Sequence, residues 1–337
     1  MDIEKEIEDL INNKQYLKAI EMTDLAEMSP KLYLLKGNAY YELSMFEEAV
    51  TEYKKALELD SNFAKAYNNI GNAKANLGEY NDALNCYKKA IEINGEYSQA
   101  YYNRGFLKYN MHNIEGAIED YTISINIDST NYIVYNNRGI AKNDLKLYNE
   151  ALSDFDKSIE LNSCQCNYFN RGIANELLSK YDEAIEDYKK ALEFDCNDSL
   201  VLLKIGLMHF YLCEYDDAIQ KYDEILQNDS DFTDAFVGKA MVQYKMGLYE
   251  DAFLNYSKAI ELTKNDAYLY MYRAVISAKT GNFDAAKSDA LKCVELCDDK
   301  DNKFTVYNNV KLLSEDSSNE NLSKFFNELD ELFEIKV

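Results

Sequence analysis

The feature that most constrains this chain is an internal repeat with a period of about 34 residues. Glycine recurs at that spacing, with one shorter step of 33, at Gly37, Gly71, Gly105, Gly139, Gly172 and Gly206. An alanine follows each glycine by twelve residues, and the alanine series continues to Ala252 and Ala286. A period of this length indicates that one small unit is copied along the chain and that each copy contacts only its neighbours.

Aromatic residues keep the same register as the alanines. Four residues after most alanines comes a ring, in the series Tyr53, Tyr87, Tyr121, Phe155, Tyr188, Tyr222 and Tyr256. Apolar residues also recur at three- and four-residue steps, which predicts two amphipathic helices of about twelve to fifteen residues in each unit. Because one such unit cannot bury its apolar face alone, the units must stack.

In its period and in its pattern of small and aromatic residues, the chain resembles the tetratricopeptide repeat family. The stretches 66–71 and 78–84 are close to the family consensus, and eight units match over residues 30–298. The resemblance implies an all-α fold, a right-handed α-α superhelix of about nine helix-turn-helix repeats. The family's usual proline near the end of the second helix is missing from every matching unit. The missing proline predicts that the loops between repeats are looser and that the fold is unchanged.

Both ends of the chain depart from the repeat. Residues 1–29 resemble a degenerate N-terminal unit, and residues 299–337 are predicted to form C-terminal capping helices. The second prediction depends on an apolar stripe at helical spacing, made of Leu322, Phe325, Phe326, Leu329, Leu332 and Phe333. We expect this stripe to cover the open end of the solenoid; the alternative is that it docks into the groove of a second copy.

Composition and charge argue against several partners. The formal net charge of −24 repels phosphate backbones and anionic lipid surfaces, so neither nucleic acid nor a membrane is expected as a partner. No stretch approaches the ~18 apolar residues of a membrane span. The seven cysteines, in a chain whose first residues lack a signal-peptide pattern, fit reduced thiols and a cytoplasmic location.

No grouping of residues in the sequence suits catalysis or a cofactor. The two histidines, His112 and His209, lie nearly three repeats apart and outside any HExxH-like pattern. Cys293 and Cys297 are four residues apart on one predicted helix. They either clamp a metal or face the core, and we adopt the core interpretation. The sequence therefore predicts a protein that is not an enzyme, with no catalytic residue, no metal site and no cofactor.

In the tetratricopeptide repeat family the first helices of successive repeats line a concave groove, and the resemblance implies such a groove here. Two residues before the glycine, four consecutive repeats carry an asparagine, at Asn69, Asn103, Asn137 and Asn170. A carboxamide offers donors and an acceptor, so each can pair with one peptide unit of an extended ligand. We predict a ladder for a peptide backbone; the alternative is that these asparagines cap or join neighbouring helices.

Neighbouring positions are expected to supply specificity, because each hydrogen bond contributes only ~1 kcal/mol net. The predicted peptide-binding residues are completed by Asn38, Asn72, Tyr102, Tyr109 and Lys204. In later repeats the groove becomes apolar, with Phe169, Leu203, Leu207 and Phe210. The arginines that directly follow three of the asparagines are expected to pair with acidic groups of the next helix; they are Arg104, Arg138 and Arg171.

These features together predict a non-enzymatic scaffold or adaptor that holds an extended peptide or a partner helix in the concave groove. The alternative is a structural assembly subunit that self-associates, or docks through its ends or its C-terminal helix. The expected partner is a protein or peptide, and the expected state is a monomer or a weak homo-oligomer.

Overall fold

The computed structural model describes residues 3–297, and every regular element in that range is an α-helix. The helices are α1 (Ile3–Asn12), α2 (Tyr16–Asp24), α3 (Pro30–Glu42), α4 (Phe46–Leu59), α5 (Ala64–Asn76), α6 (Tyr80–Ile93), α7 (Ser98–Asn110), α8 (Ile114–Ile127), α9 (Tyr132–Asp144), α10 (Tyr148–Leu161), α11 (Gln165–Leu177), α12 (Tyr181–Leu192), α13 (Ser199–Tyr211), α14 (Tyr215–Asn228), α15 (Thr233–Met246), α16 (Tyr249–Leu262), α17 (Ala267–Lys279) and α18 (Phe283–Leu296). Within this range, no helix combines the length and apolar character needed to cross a membrane.

Consecutive helices pack as pairs, and the pairs α3/α4 to α17/α18 are numbered here as repeats 1 to 8. The predicted all-α fold of stacked helix pairs is confirmed. The shorter pair α1/α2 precedes repeat 1, which begins at Pro30 after Ser29 caps the helix by accepting a bond from the N–H of Leu32. The chain divides into two compact units, residues 1–163 and 164–337. The predicted capping helices at 299–337 lie outside the described residues.

The repeated glycine lies where the first helix of a pair touches the aromatic ring of the second. A Cβ added at Gly71 would stand 2.5 Å from Cε1 of Tyr87, and Gly37 meets Tyr53 in the same way. These rings are almost fully buried, with Tyr87 2% exposed. A side chain at the glycine position would therefore push the helices apart, which explains why the smallest residue recurs there.

Arginine–aspartate pairs join the two helices in four of the repeats. Arg138 donates from Nε and Nη2 to the two carboxylate oxygens of Asp154, at 3.0 and 2.6 Å. The Asp154 side chain is only 5% exposed. The same pairing recurs in Arg104–Asp120, Arg171–Asp187 and Arg273–Asp289. The prediction that the first three arginines pair internally is confirmed, and the bidentate geometry makes these strong bonds.

Asparagine and aspartate side chains organise the loops between repeats. In five loops an Oδ1 accepts a hydrogen bond from the backbone N–H two residues later, at 2.9 to 3.1 Å; the acceptors are Asp60, Asn94, Asp128, Asp195 and Asp229. Such Asx turns direct the chain as a turn proline would. Five of the loops that the missing proline predicted to be loose are thus each held by a side-chain hydrogen bond.

The turn inside each pair places one residue in the left-handed region. Glycine has this role in three turns, at Gly78, Gly247 and Gly281. In six other turns of the described chain a residue with a Cβ adopts φ between 58° and 61°: Lys14, Ser44, His112, Lys146, Ser179 and Cys213. A Cβ costs ~1–2 kcal/mol in this conformation. These turns are therefore strained.

Candidate functional site

In the first unit, a cavity of about 410 Å³ lies between the first helices of repeats 1, 2 and 3. Amides and aromatic rings line it, among them Tyr41, Asn72, Asn76, Tyr80, Tyr102, Asn103, Phe106 and Asn110. The lining residues, all in the described part of the first unit, are uncharged. Two of the rings are unusually open to solvent, with Tyr80 48% and Phe106 46% exposed. The cavity therefore offers apolar ring surface beside hydrogen-bonding amides.

A second cavity of about 230 Å³ adjoins the first and shares Tyr41 and Asn72 with it. Its other lining residues include two of the predicted peptide-binding residues, Asn38 and Asn69. The exposed carboxylate of Glu42 also lines this cavity. The adjoining cavities thus bring together Asn38, Asn69, Asn72, Tyr102 and Asn103 along the first helices of three repeats.

Three asparagines of the predicted ladder, Asn69, Asn103 and Asn137, are bonded to the neighbouring repeat. Asn69 donates from Nδ2 to the Oδ1 of Asn38 at 2.8 Å and accepts from Asn68 at 3.1 Å. Asn103 donates to the Oδ1 of Asn68 at 2.9 Å. Because a carboxamide has two N–H groups and two lone pairs, these bonds occupy about half of the capacity of Asn69. The same side chain can therefore join two helices and still contact a ligand.

Tyrosine hydroxyls extend this network. Asn137 donates to the hydroxyl oxygen of Tyr102 at 3.2 Å, and the hydroxyl of Tyr87 donates to Asn72 at 2.8 Å. Tyr109 donates to a carboxylate oxygen of Asp144 at 2.5 Å. Burial, together with this bond, raises the pKa of Tyr109 to about 12. Tyr109 is therefore a hydrogen-bond donor at neutral pH, committed to the next repeat.

The remaining predicted residues, Asn170 and Lys204, belong to the second unit. The Nζ of Lys204 lies 3.0 Å from both carboxylate oxygens of Glu176. The apolar stretch predicted nearby is also present: Leu203, Leu207 and Phe210 line a cavity of about 200 Å³ between the first helices of repeats 6 and 7. The second unit thus has both an apolar cavity and a lysine that is paired with a carboxylate.

Several cavity residues were not among the predicted ones. They include Tyr41, Asn76, Tyr80 and Phe106. The Nδ2 of Asn76 donates to the hydroxyl oxygen of Tyr41 at 2.9 Å, across one repeat. The sequence carried a usable signal, because the two residues are 35 positions apart, close to one repeat length. A search for polar pairs at that separation would have found them.

The histidines and cysteines lie in different settings. Cys293 and Cys297 are buried in an apolar cluster of repeat 8, as the core interpretation predicts, and burial raises the pKa of Cys293. His112 lies in a left-handed turn. His209 is different: its Nδ1 lies 2.6 Å from an oxygen of Glu214, and Asp217 is close by. None of the seven cysteines, all of them among the described residues, forms a disulfide, and the sulfur atoms of Cys164 and Cys166 lie 2.9 Å apart.

The fold and the cavity define an all-α repeat protein in which successive helix pairs present a shared surface. Family models described as TPR repeat or tetratricopeptide repeat match residues 37–78, 64–97, 132–163 and 168–195. These matches confirm the predicted resemblance to the tetratricopeptide repeat family and show that the chain contains repeats of this type. Proteins of this family generally mediate protein–protein interactions, and their fold is typical of non-enzymatic scaffolds.

Solved structures of similar fold include the C-terminal part of a TPR repeat-containing protein from Cytophaga hutchinsonii. It is 22% identical, with a TM-score of 0.58, and the match covers 70% of this chain and 98% of that one. A tetratricopeptide repeat protein from Parabacteroides merdae is 16% identical, with a TM-score of 0.52 and coverage of 77% and 98%. At these identities the likeness shows the fold alone. No curated protein sequence matches the chain.

Proposed function

We propose that the first unit binds an extended segment of a partner protein along the first helices of repeats 1 to 3. The observation that carries the proposal is the pair of adjoining cavities of about 410 and 230 Å³, which share Tyr41 and Asn72. Tyr80 and Phe106 expose ring surface in the larger one. In a water-exposed groove, such rings are anchors for ligand side chains, whereas the amides between them suit a peptide backbone.

The asparagine ladder has a double role in this proposal. Asn69, Asn103 and Asn137 hold neighbouring first helices at the repeat spacing, and their remaining N–H groups and lone pairs pair with peptide units of the ligand. Asn38, Asn72, Tyr102 and Tyr109 flank them. In the second unit, we assign Asn170 and Lys204 to ligand binding as well, together with the apolar cavity that Leu203, Leu207 and Phe210 line.

The test starts with a random peptide library displayed on phage and selected against the full-length chain. Dissociation constants of the selected peptides are then measured by fluorescence anisotropy. Replacing both Phe106 and Tyr80 by alanine should weaken binding at least tenfold, because about 1.4 kcal/mol of lost ring contact corresponds to that factor. Both side chains are about half exposed, so the fold should tolerate the change.

A matched control removes exposed apolar surface outside the cavities. Leu59 at the end of α4 is 58% exposed and lines neither cavity. Leu59→Ala should leave the affinity unchanged. Equal affinity of the parent and of the double variant for every selected peptide would refute binding at this surface.

The backbone role of the asparagines has its own test. A selected peptide is resynthesised with a single N-methylated amide, position by position. If the carboxamides pair with the backbone, methylation opposite Asn103 should weaken binding to the parent but have little further effect on Asn103→Ala. Asn85→Ala, an exposed asparagine on α6 of repeat 2, is the control. Additive losses in the Asn103 variant would contradict the ladder.

We further propose that the protein is non-enzymatic, cytoplasmic, and a monomer or weak homo-oligomer that binds neither nucleic acid nor membranes. Sedimentation velocity over a hundredfold range of concentration measures the oligomeric state. A large mass that rises with concentration, and that the Phe106/Tyr80 variant does not change, would favour the assembly-subunit alternative over the adaptor.

A further inference from the structure

In repeat 2, the ammonium group of Lys74 lies between two carboxylates at the turn between α5 and α6. Lys74 on α5 reaches Glu79 and Asp82 at the start of α6, with Nζ 2.5 and 2.6 Å from their oxygens. The Lys74 side chain is only 17% exposed, whereas the two acids are about half exposed. The two carboxylates thus lie on the solvent side of the Lys74 ammonium group, and both contact it.

Repeat 6 has the same two carboxylates but a different residue in the lysine position. Counted from the repeated glycine, Glu214 and Asp217 occupy the positions of the acidic pair in repeat 2, and His209 occupies the position of the lysine. Among the eight repeats, only these two carry both acids. The Nδ1 of His209 lies 2.6 Å from an oxygen of Glu214, and one ligand atom from each of the three residues lies within 4.8 Å of the others.

We infer that His209, Glu214 and Asp217 form a binding site for a first-row divalent metal ion, with Zn²⁺ the best match. An imidazole nitrogen and two carboxylate oxygens are all ligands that Zn²⁺ takes in proteins, at about 2.0 to 2.2 Å. Ligand atoms around a tetrahedral ion are then about 3.4 Å apart. The present spacings lie on both sides of that value, from 2.6 Å between His209 and Glu214 up to at most 4.8 Å, and the exposed carboxylates are free to rotate towards it.

The comparison with repeat 2 explains why a divalent metal ion suits these three residues. Two carboxylates carry two negative charges, and in repeat 2 the lysine supplies a permanent positive charge between them. An imidazole supplies a lone pair instead when it is neutral, so the same carboxylates attract a doubly charged ion that the nitrogen also binds. Three protein ligands leave one tetrahedral position for water or for a group from a partner. This inference does not depend on the peptide-binding proposal.

Zn²⁺ alone is the probe, and isothermal titration calorimetry measures its binding to the full-length chain. Because accessible thiols also bind zinc, the parent for this experiment carries Cys164→Ser, Cys166→Ser, Cys196→Ser and Cys213→Ser. One zinc per chain should bind, and it should raise the thermal unfolding midpoint. His209→Lys should weaken this binding at least a hundredfold. Without metal the variant should be at least as stable as its parent, because the new ammonium can pair as Lys74 does.

The reciprocal variant gives a gain of binding. Lys74→His places an imidazole between the carboxylates of repeat 2, so the stoichiometry should rise from one zinc per chain to two. Unchanged zinc affinity in His209→Lys would overturn the inference, and so would a stoichiometry that stays at one in Lys74→His. Calcium binding as tight as zinc binding would also overturn it, since Ca²⁺ prefers oxygen ligands and does not need the imidazole.

Discussion

Replacing Gly71 by alanine tests the contact that joins the two helices of repeat 2. The added Cβ would stand 2.5 Å from Cε1 and 2.8 Å from Cδ1 of Tyr87. The ring of Tyr87 is 2% exposed, and its hydroxyl donates to Asn72 at 2.8 Å. The ring must therefore move within a packed interface, and its movement breaks the hydrogen bond to Asn72 or the helices separate.

The size of the effect follows from three contributions. Overpacking of this kind costs ~1–3 kcal/mol. Loss of the Tyr87 hydrogen bond adds ~1 kcal/mol. Alanine is the better helix former by ~1 kcal/mol, which offsets part of the loss. We therefore expect Gly71→Ala to lower the free energy of unfolding by about 1–3 kcal/mol.

Urea denaturation followed by circular dichroism measures this change, and Gly95→Ala is the matched control. No atom lies within 4 Å of a Cβ added at Gly95, in the loop after α6. The same methyl group there should be neutral or stabilise by up to ~1 kcal/mol. Hydrogen exchange should place the loss from Gly71→Ala in α5 and α6. If Gly71→Ala is as stable as the parent, close helix approach does not explain the recurring glycine.

Three further predictions concern the pairs, the turns and the tyrosines. Arg138→Ala leaves Asp154 with Lys142, 3.0 Å away, as its ionic partner. Urea denaturation should show a free energy of unfolding lower by about 2–4 kcal/mol. An unchanged free energy would show that the bidentate pair is dispensable. Ser44→Gly relieves a left-handed residue at φ 60° and should raise the free energy of unfolding by ~1 kcal/mol; a loss of stability would contradict the strain argument. The pKa of Tyr109 is raised to about 12 from an ordinary value of 10, so its contribution to stability is present below pH 10 and is lost as the pH rises towards 12. Phenolate absorbance and circular dichroism, followed together from pH 9 to 13, should show ionisation of the buried tyrosines coinciding with unfolding, and full ionisation of a folded chain near pH 10 would refute it.

Much of the fold was readable from the sequence because one register repeats. The glycine, the alanine and the ring recur at fixed offsets, so a single helix-pair prediction applies to every unit. The arginine pairs were predictable for the same reason, since a buried guanidinium needs an acidic partner on the adjoining helix. The loops were harder to predict, because an Asx turn depends on the local backbone as well as on the presence of an aspartate.

The candidate site was less predictable than the fold. The asparagine column showed which side chains share a face, but it did not show that Asn69 and Asn103 are already bonded to the preceding repeat. Those bonds depend on how far one first helix is displaced along the next. The grouping at His209 matches no short metal motif, because its three residues lie on either side of the turn between α13 and α14. Comparing repeat 6 with repeat 2 position by position reveals it from the sequence alone.

The sequence separations of the side-chain bonds bear on how such a chain can change in length. One recurring set of bonds inside a repeat joins residues 15 or 16 apart, as in Tyr53–Asn38 and Arg138–Asp154. A recurring set of bonds between neighbouring repeats joins residues 35 apart, as in Asn103–Asn68 and Asn137–Tyr102. An in-frame duplication of about 34 residues within the first unit would therefore carry complete internal bonds and meet matching partners on both sides. The length of the binding surface is then a quantity that gene duplication can adjust in whole repeats, without redesign of any single contact.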